Sequence, residues 1–244
     1  MKETTKSKMS RFINKVKPLF FPTLYFALVV TLSFSLFSVF KKRNFISIYI
    51  DGESMRPTLN ADSSTSVDGK TNAVIEKNIQ FGYANSSKQA INSLKHFDIV
   101  ITYYNDCYNI DANGKEVLKQ DADYKIKRVI ALPGETFKIV NSVISYKIDG
   151  EWVSPDLPFS RNISSITKKD HPEHTLNENE YWVLGDNCAN SRDSQDVGVI
   201  KKMYIAGVLS AIEGTCTLEK QIVSGKTVSK LYDYKYYKNP IYFL

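Results

Sequence analysis

Tyr124-Lys125-Ile126-Lys127-Arg128-Val129-Ile130-Ala131 reads as a β-strand, rich in β-branched and aromatic residues with basic side chains interleaved. Strand alternation puts Lys125 and Lys127 on one face and Arg128 on the other. Outward from this stretch the neighbouring signals agree. Ile46–Asp51 alternates in character, and Phe97–Tyr104 is again β-branched and aromatic. Thr136–Val140 and Val143–Ile148 are short runs separated by Asn141-Ser142, and Asp149-Gly150 offers a hairpin turn into Trp152-Val153. Tyr181–Leu184 and Met203–Ile212 complete the set. No amphipathic helix of ordinary length competes with them, so the predicted fold is mostly β, in antiparallel sheets with many loops.

Upstream lies a segment of another kind. Residues 18–40, Pro18 to Phe40, carry no charge; as a helix they would span about 35 Å, against about 30 Å of bilayer hydrocarbon. Pro18 and Pro22 fall at its start, where a missing backbone N–H costs least. The exit Phe37-Ser38-Val39-Phe40-Lys41-Lys42-Arg43 lacks the small residues of a cleavable signal, which favours an uncleaved anchor. Lys2, Lys6, Lys8, Arg11, Lys15 and Lys17 precede the span against one acid, Glu3. That bias predicts a single-pass protein of the cell membrane, with residues 1–17 a cytoplasmic tail and the rest of the chain outside. The tail also holds most of the net charge of +6. The basicity therefore reads as membrane topology rather than a nucleic-acid face.

Residues 41–215 are expected to form the exported β-rich domain, with polar insertions near 60–94 and 154–179, and 216–244 a Tyr- and Lys-rich C-terminal tail. Cys107, Cys188 and Cys216 are odd in number and have no metal-like spacing; one pair could bridge outside the cytoplasm, but three isolated thiols are the preferred expectation.

Three segments carry chemistry. Ser54, in Ser54-Met55-Arg56-Pro57-Thr58-Leu59, sits at a strand-to-turn exit where Gly52 permits close approach and Pro57 fixes the turn. Its hydroxyl and backbone N–H share one exposed corner, and the N–H suits an oxyanion donor. On its own, a serine before a turn is a turn residue. Lys127 on its own is a solvated strand residue, useful as a base only if burial lowers the pKa of its amine. The third segment, Gly185 to Gly198, is crowded with short polar residues that can supply a hydroxyl to an amine and a carboxylate to a guanidinium. Asp186, Asp193 and Asp196 raise calcium as a competitor, but their spacing does not match a calcium loop, so no metal is expected.

Those segments, in this order behind an N-terminal anchor, resemble the bacterial type I signal peptidases, the membrane-bound Ser/Lys leader peptidases of peptidase family S26. Ser54–Leu59 is similar to the nucleophile box and Lys127–Glu135 to the general-base box. His96-Phe97-Asp98-Ile99-Val100 is similar to the Gly-Asp-hydrophobic box, and Gly185–Gly198 to the Gly-Asp-Asn box. The resemblance implies sheets of the signal-peptidase (LexA-like) type and no cofactor. It implies Ser54 as nucleophile and Lys127 as general base, with Ser191 orienting the lysine, Asp193 in a supporting network and Arg128 as the partner of Asp193. Gly52 stands where some members place an oxyanion-hole hydroxyl, leaving the Ser54 backbone N–H for that role. Met55, Leu59, Ile126 and Val129 are candidate pocket walls.

The expected activity is removal of N-terminal signal peptides from exported pre-proteins, with the lipid bilayer and a nearby secretion translocon as partners and no nucleic acid. A non-catalytic chaperone or assembly factor for exported chains is the alternative, against which the retained serine and lysine argue. Self-cleaving repressors of related architecture carry a DNA-binding domain where this chain has its apolar span. Three departures from the family pattern stand out: Cys188-Ala189 in place of Arg-Asp, Gln195 in place of Arg, and Phe97 in place of glycine.

Overall fold

The computed structural model describes residues 5–158 and 170–243, with side chains from Phe20 onward except Phe21. The chain divides into two units at Asn44/Phe45. The first is a single helix, α1 (Thr5–Asn44), of which Pro22–Asn44 is long and apolar enough to cross a membrane. The hydroxyls of Thr23 and Thr31 donate back to the carbonyls of Phe20 and Leu28, so neither is left unpaired along this apolar stretch. The helix is longer than the expected span of 18–40. It begins within the basic tail, and Pro18 and Pro22 lie inside it rather than in its first turn.

The second unit begins with β1 (Phe45–Tyr49), β2 (Ser64–Val67) and β3 (Val74–Asn85), then a five-residue helix α2 (Lys88–Asn92) and β4 (Ile99–Thr102). A small hairpin follows, β5 (Tyr108–Ile110) with β6 (Glu116–Leu118), and then β7 (Lys125–Ala131). Next come β8 (Thr136–Val140), β9 (Val143–Ile148), β10 (Glu151–Val153), β11 (His171–Thr175) and β12 (Glu180–Leu184). The chain ends through α3 (Ser194–Val197), β13 (Ile200–Lys201), β14 (Ile205–Val223) and β15 (Lys226–Tyr242). A nine-stranded antiparallel sheet runs β1-β3-β14-β4-β7-β12-β13, with β2 added to β3 and β15 to β14. A four-stranded sheet, β10-β9-β8-β11, packs on it where Phe137, Ile139, Ile144 and Tyr146 meet Trp182 and Leu184.

The expectation of a mostly β, antiparallel fold holds, and β7 covers seven of the eight residues of the founding strand. Two expected boundaries do not hold. The polar insertion at 60–94 contains β3, twelve residues long and paired on both sides within the sheet, because Ile79 and Phe81 pack with Cys216 and Leu218 of β14 while Lys77 and Asn78 are exposed. Gly82 lets the two strands close: a Cβ there would lie 1.9 Å from the carbonyl oxygen of Ala211. The C-terminal tail at 216–244 is also no separate segment. Cys216 lies within the unbroken β14, and Ser224-Gly225, both at positive φ, turn the chain back as β15. Of the insertion at 154–179, residues 159–169 lie outside the described residues, and β11 occupies part of the remainder. No disulfide joins Cys107, Cys188 and Cys216.

Candidate active site

β1 delivers the chain to Gly52, whose φ of 84° glycine adopts without a Cβ penalty. The corner that follows is anchored from below by Met55 and Leu59, both buried in the cluster with Ile48, Ile50 and Ile126. Asn60 fastens its two ends. Its side-chain Nδ2 donates to the carbonyls of Ile50 (2.5 Å) and Gly52 (3.2 Å), and its Oδ1 accepts from the Gln80 amide (2.8 Å). Arg56 pairs with Glu53 at 2.9 Å and donates to the carbonyls of Asn60 and Ser63. Ser54 is thus held half-buried at the top of a tied loop.

Lys127 enters from β7, where the register sets it opposite Val100 of β4. Its side chain is 3 % exposed, and Nζ lies 2.8 Å from Ser54 Oγ and 2.8 Å from the carbonyl oxygen of Ile126. A protonated amine donates across the first of these distances; a neutral one can accept the hydroxyl proton over the same path. The two residues are 73 positions apart, and no histidine lines the groove beside them.

Arg128, next in the strand, grips Asp186: Nε to Oδ1 at 2.8 Å and Nη2 to Oδ2 at 2.6 Å. It also donates to the Phe97 carbonyl, and Thr58 Oγ1 donates to Asp186 Oδ2. The two-pronged partner of Arg128 is therefore Asp186, not the expected Asp193. Asp193 caps α3, where Oδ1 accepts from the Gln195 amide, and its Oδ2 accepts from the Gly185 amide. The acids that raised calcium are thus engaged elsewhere, Asp186 by Arg128 and Asp196 by the capping box. Asn187, which the sequence did not single out, donates from its backbone to the Ser54 carbonyl (3.0 Å) and from its side chain to that of Glu53 (3.1 Å). Ser191 is buried beside this contact, and among the described residues its Oγ has no hydrogen-bond partner. Phe97 stands at φ 71°, a left-handed backbone that glycine adopts without a Cβ penalty.

A groove lined by Tyr49–Gly52, Ser54, Met55 and Asp123–Lys127 leads to the serine, with a cavity of about 90 Å³. Of the candidate pocket walls, Met55 and Ile126 line it. Leu59 lies deeper in the same cluster, and Val129 packs in a different one, with Val100, Tyr104 and Val183. At the groove's rim Lys220 of β14 joins Asp51 and Glu76. Burial works to lower the Lys220 pKa, but its hydrogen bonds to the two carboxylates outweigh this and raise it.

Residues 20–212 match the family described as signal peptidase, peptidase S26. Signal peptidase I S of Bacillus subtilis (strain 168) is 29 % identical over 176 residues, covering 68 % of this chain and 76 % of that protein. Signal peptidase I V of the same organism is 33 % identical over 110 residues, covering 40 % of this chain and 63 % of its own. A crystal structure of a signal peptidase I from Enterococcus faecalis V583 overlaps 48 % of this chain and 97 % of that one, at 25 % identity and a TM-score of 0.34.

Proposed function

The chain belongs to the signal peptidase family, peptidase S26, and on that premise we propose that it is a membrane-anchored serine endopeptidase that removes signal peptides from exported pre-proteins, with Ser54 as nucleophile and Lys127 as base. The observation that carries the assignment is the 2.8 Å contact between Lys127 Nζ and Ser54 Oγ in a site without histidine.

The neutral amine of Lys127 takes the Ser54 proton as Oγ attacks the carbonyl carbon at the cut. The tetrahedral oxyanion is met by the Ser54 backbone N–H. As the C–N bond breaks, the leaving amine takes the proton from Lys127. Water, deprotonated by the Lys127 amine that is now neutral again, then attacks the acyl ester, and as the ester bond breaks Lys127 returns the proton to Ser54 Oγ. Arg128 and Asp186 hold β7 against the Gly185–Asn187 turn, and that turn holds the Ser54 carbonyl. Their part is to position the two reacting side chains. The small cavity beside Ser54 favours small side chains next to the cut.

The helix Pro22–Asn44 anchors the enzyme, with the basic N-terminal residues on the cytoplasmic side and the β unit outside. Substrates then arrive at the lipid bilayer from the secretion translocon. The test is processing of a signal-bearing pre-protein by the solubilised enzyme. Ser54→Ala and Lys127→Ala should each abolish the cut while the protein stays folded; normal cleavage by either variant overturns the mechanism.

A further inference from the structure

The free edge of β1 is already occupied at one position, and by a side chain. β1 pairs with β3 so that Tyr49 faces Phe81, and the Ile50 amide donates to the Gln80 carbonyl at 2.7 Å. Hydrogen bonds of an antiparallel pair alternate along each strand. Ile48 therefore directs its backbone groups, and Ile50 its amide, at β3, while the Ile50 carbonyl accepts from Asn60 Nδ2. Tyr49 directs its amide and carbonyl away from β3, across the groove to Tyr124, and the same alternation turns the backbone of Asp51 to that side. An extended substrate lying in that groove would pair with these outward groups.

At Tyr49 both are taken. Its amide donates to Tyr124 Oη (3.2 Å), and Tyr124 Oη donates to its carbonyl oxygen (2.9 Å). One phenol thus reproduces the two hydrogen bonds that a partner strand would make. The ring is braced edge-on against that of Tyr49, with centroids 6.2 Å apart, and packs on the core cluster that contains Ile126 and Met55. Burial pushes the Tyr124 hydroxyl up to about 12, so it keeps the proton it donates across the neutral range. Tyr124 stands three residues before Lys127, and Tyr49 five before Ser54.

Resting on the peptidase reading above, we propose that Tyr124 is a specificity-determining residue that ends the substrate-pairing edge. Backbone recognition is confined to the three or so residues nearest the cut, and chain further upstream leaves the groove without pairing. The enzyme is then indifferent to whether residues four to six before the cut can extend as a strand.

Two pre-proteins test this, identical except at the fifth residue before the cut: alanine in one, proline, which has no N–H to pair, in the other. Wild type should cut both at equal rates. Tyr124→Phe keeps the ring but frees the Tyr49 edge. It should cut the alanine substrate about tenfold faster than the proline one, the worth of one or two net backbone hydrogen bonds. Thermal melting of the variant checks that the ring still packs, since a packing defect would slow both substrates alike. Discrimination by wild type, or equal rates with Tyr124→Phe, overturns the proposal while leaving the peptidase reading intact. Absence of any Ser54-dependent cut by wild type overturns both.

Discussion

Arg128 and Asp186 form a two-pronged ion pair at 7 % and 1 % side-chain exposure, directly behind the Lys127–Ser54 contact. Charges so buried are held by each other, and removing one strands the other. Asp186→Ala should therefore cost about 3–5 kcal/mol of stability. Asp186→Asn, which still accepts from one prong, should cost less. Because Asn187 is the next residue and holds the Ser54 carbonyl, cleavage should fall in both variants. Denaturant titration alongside pre-protein processing measures the two effects, and an unchanged unfolding midpoint for Asp186→Ala would refute the role given to the pair.

At Gly185 the turn that follows β12 packs against the backbone of the nucleophile corner. A Cβ there would lie 2.2 Å from Ser191 Oγ and 2.5 Å from the Ser54 carbonyl oxygen. The Ser191 hydroxyl can rotate away, but its Cβ, 2.6 Å from the added carbon, cannot, and the Ser54 carbonyl is backbone and must move with the nucleophile. Gly185→Ala is expected to lose about 1–3 kcal/mol through overpacking. Its rate should drop on the order of a hundredfold, as for a reacting group misplaced by an ångström. Adding Ser191→Ala to it should recover part of the stability and little of the rate. Full recovery of activity in the double variant would show that the Ser54 carbonyl had not been displaced.

The strands at Tyr124–Ala131, Thr136–Val140, Val143–Ile148 and Tyr181–Leu184 were legible because each is a short dense run of β-branched or aromatic residues. β3 was not. Its Glu76, Lys77, Asn78 and Gln80 dilute the pattern, and what makes it a strand is pairing with β1 and β14, which no local window contains. The Ser54–Lys127 pairing followed from family resemblance, not from either segment. Asp186 was visible within Gly185-Asp186-Asn187, but choosing between it and Asp193 as the partner of Arg128 requires knowing which carboxylate the turn presents to β7 and which it spends capping α3. The hydroxyl of Tyr124 had no signal at all, since its partner is backbone.

His171 gives the small sheet a pH dependence. Its ring lies 4.1 Å from that of Trp182 and stacks on Phe137, with His174 5.6 Å away. Burial, and then the neighbouring His174, hold its pKa below the usual 6.5. In the unfolded chain His171 takes up a proton at a higher pH than in the folded one. Its contribution is therefore fully present above about 6.5 and is lost as pH falls through the folded value. The Tm should fall more steeply between pH 7 and 5 in wild type than in His171→Phe, which keeps an aromatic ring and cannot titrate. Parallel slopes in differential scanning calorimetry would remove His171 from the account.

Asn60 ties the corner by direct hydrogen bonds. Its Nδ2 donates to the carbonyls of Ile50 and Gly52, and its Oδ1 accepts from the Gln80 amide. Its own backbone sits at φ 57°, a region that asparagine visits more readily than alanine. Asn60→Ala removes the hydrogen bonds and strains the backbone together, whereas Asn60→Gly removes the hydrogen bonds alone. Leaving the buried Ile50 carbonyl unpaired costs about 1–3 kcal/mol, so both variants should unfold earlier, alanine before glycine. Both should also lose cleavage by more than their folded fraction explains, because Ile50–Gly52 is the wall of the groove and the support of Ser54. Cleavage rates measured well below the unfolding transition separate the two effects. If the rates equal wild type there, Asn60 stabilises the loop but does not set the position of the serine.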